Sequence, residues 1–163
     1  MTDLIAELSS VMAEELDLRF EADHMRRMRP VLRTHGIRVP KVHRDLSTEN
    51  VLVTDWIDGA VMSDVLARAH RASWLMTQGT SETEVGKTLL RSLQRQVFET
   101  NRFHGDLHPG NVMIRKGKLY AIDFGTTSAT ERGFLDSFTA FIRALSSRDY
   151  ARAADLYCLL CVW

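Results

Sequence analysis

His104-Gly105-Asp106-Leu107-His108-Pro109-Gly110-Asn111, followed twelve residues after Asn111 by Asp123-Phe124-Gly125, is the stretch on which the fold turns. Two short apolar runs, VMIRK (112–116) and LYAIDF (119–124), lie between these polar groups. Lys116-Gly117 separates them with a turn signal, so the intervening chain reads as a β-hairpin. A hairpin there folds Asp123 back beside Asn111, and two oxygen-bearing side chains can then reach one point. Upstream, residues 84–101 carry Leu89, Leu90, Leu93, Val97 and Phe98 at helical spacing. A long helix therefore leads into the loop, and a hairpin leads out of it.

That order suits phosphoryl transfer. The chemistry needs a carboxylate to orient the attacking hydroxyl and further oxygens to hold magnesium on the phosphates. Asp106 and Asn111 stand five apart, the spacing of the kinase loop H-R-D-x-x-x-x-N. Carboxylate and carbonyl oxygens are suitable magnesium donors. A second segment, His43-Arg44-Asp45-Leu46-Ser47-Thr48-Glu49-Asn50, matches the same motif letter for letter. Its surroundings speak against it. Asp55 follows Asn50 by only five residues, too soon for a hairpin, and no long apolar helix leads in. It reads instead as a turn between two strands.

The remaining chain reads as helix over 3–29, with Pro30 a stop or kink, then strands over 37–43 and 50–57. A helix follows from Met62 to Ala72 with Ser63 a candidate N-cap, then a loop over 73–83. Helices over 131–146 and 148–162 close the sequence, which starts and stops inside helical patterns as if part of a larger fold. With 163 residues, 45% hydrophobic and 26% charged, the composition is that of a globular domain. Its 21 basic and 21 acidic side chains cancel, which leaves no overall electrostatic footprint for nucleic acid. No apolar run reaches the roughly 18 residues of a membrane span. Two cysteines, Cys158 and Cys161, make no disulfide scaffold, so a reducing cytoplasmic setting is expected and buried thiols are the simpler reading. His104 reads as a scaffold residue, and Phe134, Phe138, Phe141 and Leu145 as core.

ELDLRFEA (15–22), VPKVHRDLSTENVLVTDWIDG (39–59), FHGDLHPGNVMI (103–114) and AIDFGTTS (121–128) together resemble the ABC1/UbiB/ADCK group of atypical kinases. The resemblance implies a protein-kinase-like α+β fold, with residues 1–59 a partial small lobe and 60–163 the first part of the helical large lobe. It implies ATP and Mg2+ as cofactors and a role in ubiquinone biosynthesis. A quinone-pathway small molecule or lipid is the implied partner, with membrane association in the full-length protein. By position, Asp106 resembles the catalytic aspartate, and Asn111 and Asp123 the metal ligands. Glu21 resembles the glutamate of kinase helix αC, and Glu15 and Asp17 the group's additional acidic pair. Trp56, Ile57 and Asp58 resemble the adenine-binding hinge.

The departures are as specific. The group's KxGQ motif, its alanine-rich nucleotide loop and its lysine strand should precede the ELDL segment, and the sequence begins fourteen residues before Glu15. Lys41, Lys87 and Lys116 lie in the wrong elements to pair with Glu21. Gly105 stands where kinases regulated by a phosphorylated loop carry arginine, and no A-P-E follows Asp123. These features favour a small-molecule or lipid-linked substrate over a protein. Two alternatives stay open: a catalytically inactive remnant acting as a binding module, and a fragment of an aminoglycoside- or choline-type phosphotransferase.

Overall fold

The computed structural model describes residues 16–100, 102–129 and 132–161. Asp17 sets where its first helix begins. The Asp17 backbone is extended, and its carboxylate accepts the Arg19 N–H at 3.0 Å, an N-cap bond. Helix α1 therefore spans Leu18–Thr34, and the single helix expected over 3–29 is corrected at Asp17. The part of that expectation before residue 16 lies outside the described residues. Pro30 does not stop α1, which runs on to Thr34. Proline removes one donor, but Met28 and Leu32 on either side of it are fully buried. Packing along the stripe Ala22, Met25, Met28 and Leu32 outweighs that loss.

The other elements are β1 (Ile37–Arg38), β2 (Ala60–Val61), α2 (Met62–Leu66), α3 (Arg71–Thr77) and α4 (Glu82–Phe98). Then come β3 (Phe103–His104), β4 (Val112–Arg115), β5 (Lys118–Ala121), β6 (Thr127–Ser128), α5 (Arg132–Ser146) and α6 (Tyr150–Leu160). The expected hairpin is present. β4 and β5 pair antiparallel from Val112↔Ala121 to Arg115↔Lys118. Lys116 and Gly117 turn the chain at φ 47° and 69°, the left-handed pair that a two-residue hairpin turn requires. Gly117 has a second reason to be glycine, since a Cβ there would stand 2.9 Å from the Gln78 carbonyl oxygen. β1 adds to β5 in parallel and β2 to β4 antiparallel, giving the order β1-β5-β4-β2. β3 and β6 form a separate antiparallel pair.

Four expectations are corrected here. The strands over 37–43 and 50–57 shrink to β1 and an isolated Val42↔Thr54 bridge. Pro40 interrupts the ladder because it has no N–H to donate. The bridge is still framed by His43 N–H to Val53 O at 2.8 Å and Asp55 N–H to Lys41 O at 2.9 Å. The helix expected from Met62 to Ala72 ends at Leu66, with Val61 rather than Ser63 at its N-cap. The loop expected over 73–83 begins as α3, which buries Leu75 in the core. Cys158 and Cys161 are exposed, because α6 buries Ala153 and turns its other face outward.

One core cluster joins these elements, and its fully buried members include Met28, Leu32, Ile37, Val65, Ile114 and Phe124. It draws on residues from both sides of position 59. α5 and α6 pack on each other beside it. A row of rings crosses them, with Phe134, Phe138 and Phe141 spaced 6.0 and 6.3 Å apart and Tyr157 6.0 Å from Phe141. These phenylalanines are half-buried and Leu145 is exposed, so they form the flank of the domain and not its centre.

Candidate active site

The loop between β3 and β4 is held from three directions. Gln96 on α4 is fully buried and holds the start of the loop, its Oε1 accepting the His104 N–H at 3.0 Å. Its amide donates to Ser92 Oγ at 3.0 Å, so both polar ends are satisfied inside the core. At the exit of the site, Gly105 N–H donates to Thr126 O at 2.9 Å, extending the β3–β6 pairing. The loop and the segment around Asp123-Phe124-Gly125 are thus fastened at one end by this bond and at the other by the Ile122 N–H on the Asn111 carbonyl.

Within the loop, the backbone of Asp106 is fixed and its carboxylate is free. The Asp106 N–H donates to His104 Nδ1 at 3.2 Å. Its carbonyl accepts Asn111 Nδ2 at 3.0 Å and the His108 N–H at 3.0 Å. The carboxylate is largely exposed, with His108 Nε2 3.8 Å away. His108 Nδ1 accepts the Gly110 N–H at 3.0 Å, which makes His108 a stabiliser of the loop. Asn111 is buried, and its carbonyl accepts the Ile122 N–H at 2.9 Å. The hairpin register therefore sets Asp123 one residue beyond the bond that ties the two strands at Asn111.

Asp123 adopts φ 64°, a left-handed conformation that costs a non-glycine residue stability. Its Oδ1 accepts the Gly125 N–H at 3.2 Å, a local bond that aspartate can make in this region. The carboxylate is exposed while Phe124, next in the chain, is fully buried. Two residues of α1 hold the Phe124 backbone. Its N–H donates to Glu21 Oε1 at 2.9 Å, and its carbonyl accepts His24 Nδ1 at 3.0 Å. Glu21 and His24 lie three apart and share a helix face. Among the described residues no lysine or arginine pairs with Glu21.

His104 lies against this turn, its ring 4.7 Å from that of Phe124. Since Nδ1 accepts a bond, Nε2 carries the proton, and Nε2 is buried with no hydrogen-bond partner among the described residues. Burial pushes the His104 pKa down from 6.5, against smaller upward pulls from Asp123, Ile122 and Asp106. Burial, with help from Arg95, also lowers that of His35. A histidine held neutral in the fold takes up its proton more readily when unfolded. Its contribution is therefore complete above pH 6.5, the unfolded value, and is lost as pH falls towards the folded pKa. The thermal midpoint is expected to drop between about pH 7 and 5. His104→Gln should flatten that slope, which differential scanning calorimetry across the range would show.

Those of the other predicted site residues that are described make no hydrogen bond or ion pair with this group. Glu15 lies outside the described residues. Asp17 is tied to Arg19, whose Nε and Nη2 reach its carboxylate at 2.9 and 2.6 Å and hold its pKa below the ordinary value. The described hydrogen bonds that this carboxylate accepts all come from Arg19. Trp56 is 85% exposed, Ile57 is buried and Asp58 is exposed. Trp56 and Ile57 line a cleft that does not include Asp106, Asn111 or Asp123. The second motif, His43 to Asn50, forms a one-turn 3-10 helix over Arg44–Leu46 at the end of the bridged segment. There His43 Nε2 meets Asp55 Oδ1 at 2.8 Å, and Asp45 and Asn50 are exposed.

His24 and Gln96 escape the sequence reading. The signal for His24 is its place one turn after Glu21. For Gln96 it is a polar side chain on the apolar face of a helix that leads straight into the loop.

A family model for the ABC1 atypical kinase-like domain matches residues 1–157. The chain belongs to the ABC1 family. Among its relatives, the ACTIVITY OF BC1 COMPLEX KINASE 3 protein of Arabidopsis thaliana is 30% identical over 96% of this chain and 21% of its own length. A probable protein kinase UbiB of Vibrio vulnificus is 29% identical over 95% of this chain and 28% of its own. A Mycobacterium tuberculosis protein solved in complex with erythromycin superposes with a TM-score of 0.73 and 26% identity. It is covered over 94% of this chain and 37% of its own length. The ABC1 chain thus has a kinase-like α+β fold and spans between a fifth and a third of these two curated relatives. Among its described residues no helix is long and apolar enough to cross a membrane.

Proposed function

We propose that this chain forms part of the catalytic centre of an ABC1/UbiB-type atypical kinase or ATPase that uses ATP and magnesium. The observation that carries the reading is the hairpin register. It sets Asn111 and Asp123 on adjoining strand ends, beside an Asp106 whose backbone is fixed and whose carboxylate is open. Two oxygen donors fit magnesium, which keeps several waters and takes few protein ligands. Bound there, the ion would neutralise charge on the phosphates. Asp106 would orient the attacking hydroxyl or water, and Asn111 Oδ1 and the Asp123 carboxylate would face the metal. Glu21, bonded to the Phe124 N–H, would hold the turn that aims Asp123. The absence of A-P-E and of arginine at position 105 supports a small-molecule or lipid-linked substrate, in keeping with ubiquinone biosynthesis.

Calorimetry of the chain with ATP tests this reading. Binding is expected to need magnesium and to be no tighter than high micromolar, because among the described residues no lysine pairs with Glu21 to anchor the phosphates. Submicromolar binding, or binding indifferent to EDTA, would refute it.

A further inference from the structure

The formal charge of the chain is zero, yet its cations are not evenly spread. A cleft of about 1200 Å3 lies between α1, β1, the 55–57 segment and the β4–β5 hairpin. Arg26, Arg29, Arg33, Arg38, Arg115 and Lys118 line it, against the single carboxylate of Asp55. That carboxylate is already engaged by His43 at 2.8 Å and by the Lys41 N–H at 3.3 Å. Arg26 pairs with Asp23, and Arg38 lies over the Tyr120 ring. Arg29, Arg33, Arg115 and Lys118 have no acidic partner among the described residues.

The fold sets like charges side by side on two elements at once. Arg29 and Arg33 are four apart on α1, neighbours on the helix surface. Arg115 and Lys118 are directly opposite in the hairpin register. Both arrangements are repulsive. A bound anion with several charges would offset both, and five of the six cations are arginines, whose planar fork matches phosphate oxygens. At about 1200 Å3 the cleft is somewhat larger than the ~300–1,000 Å3 of ordinary small-molecule sites, with room for a small polyanion. Tyr120, at its base, could cover an apolar part of such a ligand.

We propose that this cleft is a binding site for a small, phosphate-rich anion, separate from the magnesium site. It does not depend on the magnesium reading, because the cleft takes in Trp56 and Ile57 of the expected hinge but none of the Asp106–Asn111–Asp123 group.

The test uses inorganic tripolyphosphate as probe, with EDTA present so that no metal site contributes. Titration calorimetry of the whole chain should show saturable binding that weakens with added sodium chloride. Replacing Arg29 and Arg33 together by Gln should weaken binding by about tenfold or more. Arg115→Gln with Lys118→Gln should do the same, and circular dichroism would identify which pair leaves the fold intact. Lys87→Gln with Arg91→Gln removes equal charge from the exposed face of α4 and should leave affinity unchanged. Equal losses in cleft and α4 variants, or no saturable binding, would overturn the proposal. So would binding confined to vesicles of anionic phospholipid or to single-stranded RNA.

Discussion

Asp106→Asn is expected to lower ATP turnover by about 10²–10⁴-fold, while Asp45→Asn changes it by no more than a few-fold. The comparison separates two segments that the motif alone cannot rank. Asp106 sits where both sides of its peptide are held, by His104 Nδ1 and by Asn111 Nδ2, so its carboxylate position is preset. Asparagine keeps the shape and loses the negative oxygen that orients a nucleophile. Asp45 lies exposed in a 3-10 turn, far in sequence from any hairpin that could bring it a metal ligand. The measurement is steady-state ATP turnover in a chimera joining this chain to the N-terminal region of a UbiB relative, where the family resemblance places a nucleotide loop and lysine. A large loss at Asp45 with turnover retained at Asp106 would mean that the other loop is the catalytic one.

The same contrast shows what a sequence can reveal. The hairpin was legible because its signal is local: two short apolar runs and a Lys-Gly turn decide the pairing without help from the rest of the chain. The separation of Asp106, Asn111 and Asp123 is also a local quantity. The longer-range arrangement was not. Nothing near residue 37 says that β1 will pair in parallel with β5, since that partner lies eighty residues away and packing selects it. Pro40 suits an edge strand and the residues after Asn50 are strongly β-branched, so both segments read as full strands. Trp74 and Leu75 sat among polar neighbours, and α3 forms because the core has room for Leu75. At the site, the helical spacing of Glu21 was visible, while its bond to the Phe124 N–H spans 103 residues and is a product of the tertiary fold. Burial of Asn111 was likewise hidden. Its type suggested a metal ligand facing a cleft, yet its amide also braces the Asp106 carbonyl from within the fold.

That double duty changes how the metal should be tested. Asn111→Ala would remove a buried amide that bonds Asp106, costing about 1–3 kcal/mol of stability whatever its effect on magnesium. An alanine at position 123 is also a poor probe, because φ is 64° there and a Cβ without a local acceptor is strained by about 1–2 kcal/mol. Asp123→Asn avoids both problems. Asparagine tolerates the left-handed region and can still accept the Gly125 N–H through its amide oxygen. What it lacks is the negative charge that offsets a divalent ion. Magnesium-dependent nucleotide binding should therefore fall by at least about tenfold in Asp123→Asn, with a thermal midpoint close to that of the parent. Asn111→Ala should lower the midpoint by several degrees and weaken magnesium dependence less. A magnesium titration of ATP binding, paired with thermal unfolding of each variant, reads both quantities. Unchanged magnesium dependence in Asp123→Asn would remove the metal from this turn, and the exposed carboxylate would then serve only to hold the Gly125 backbone.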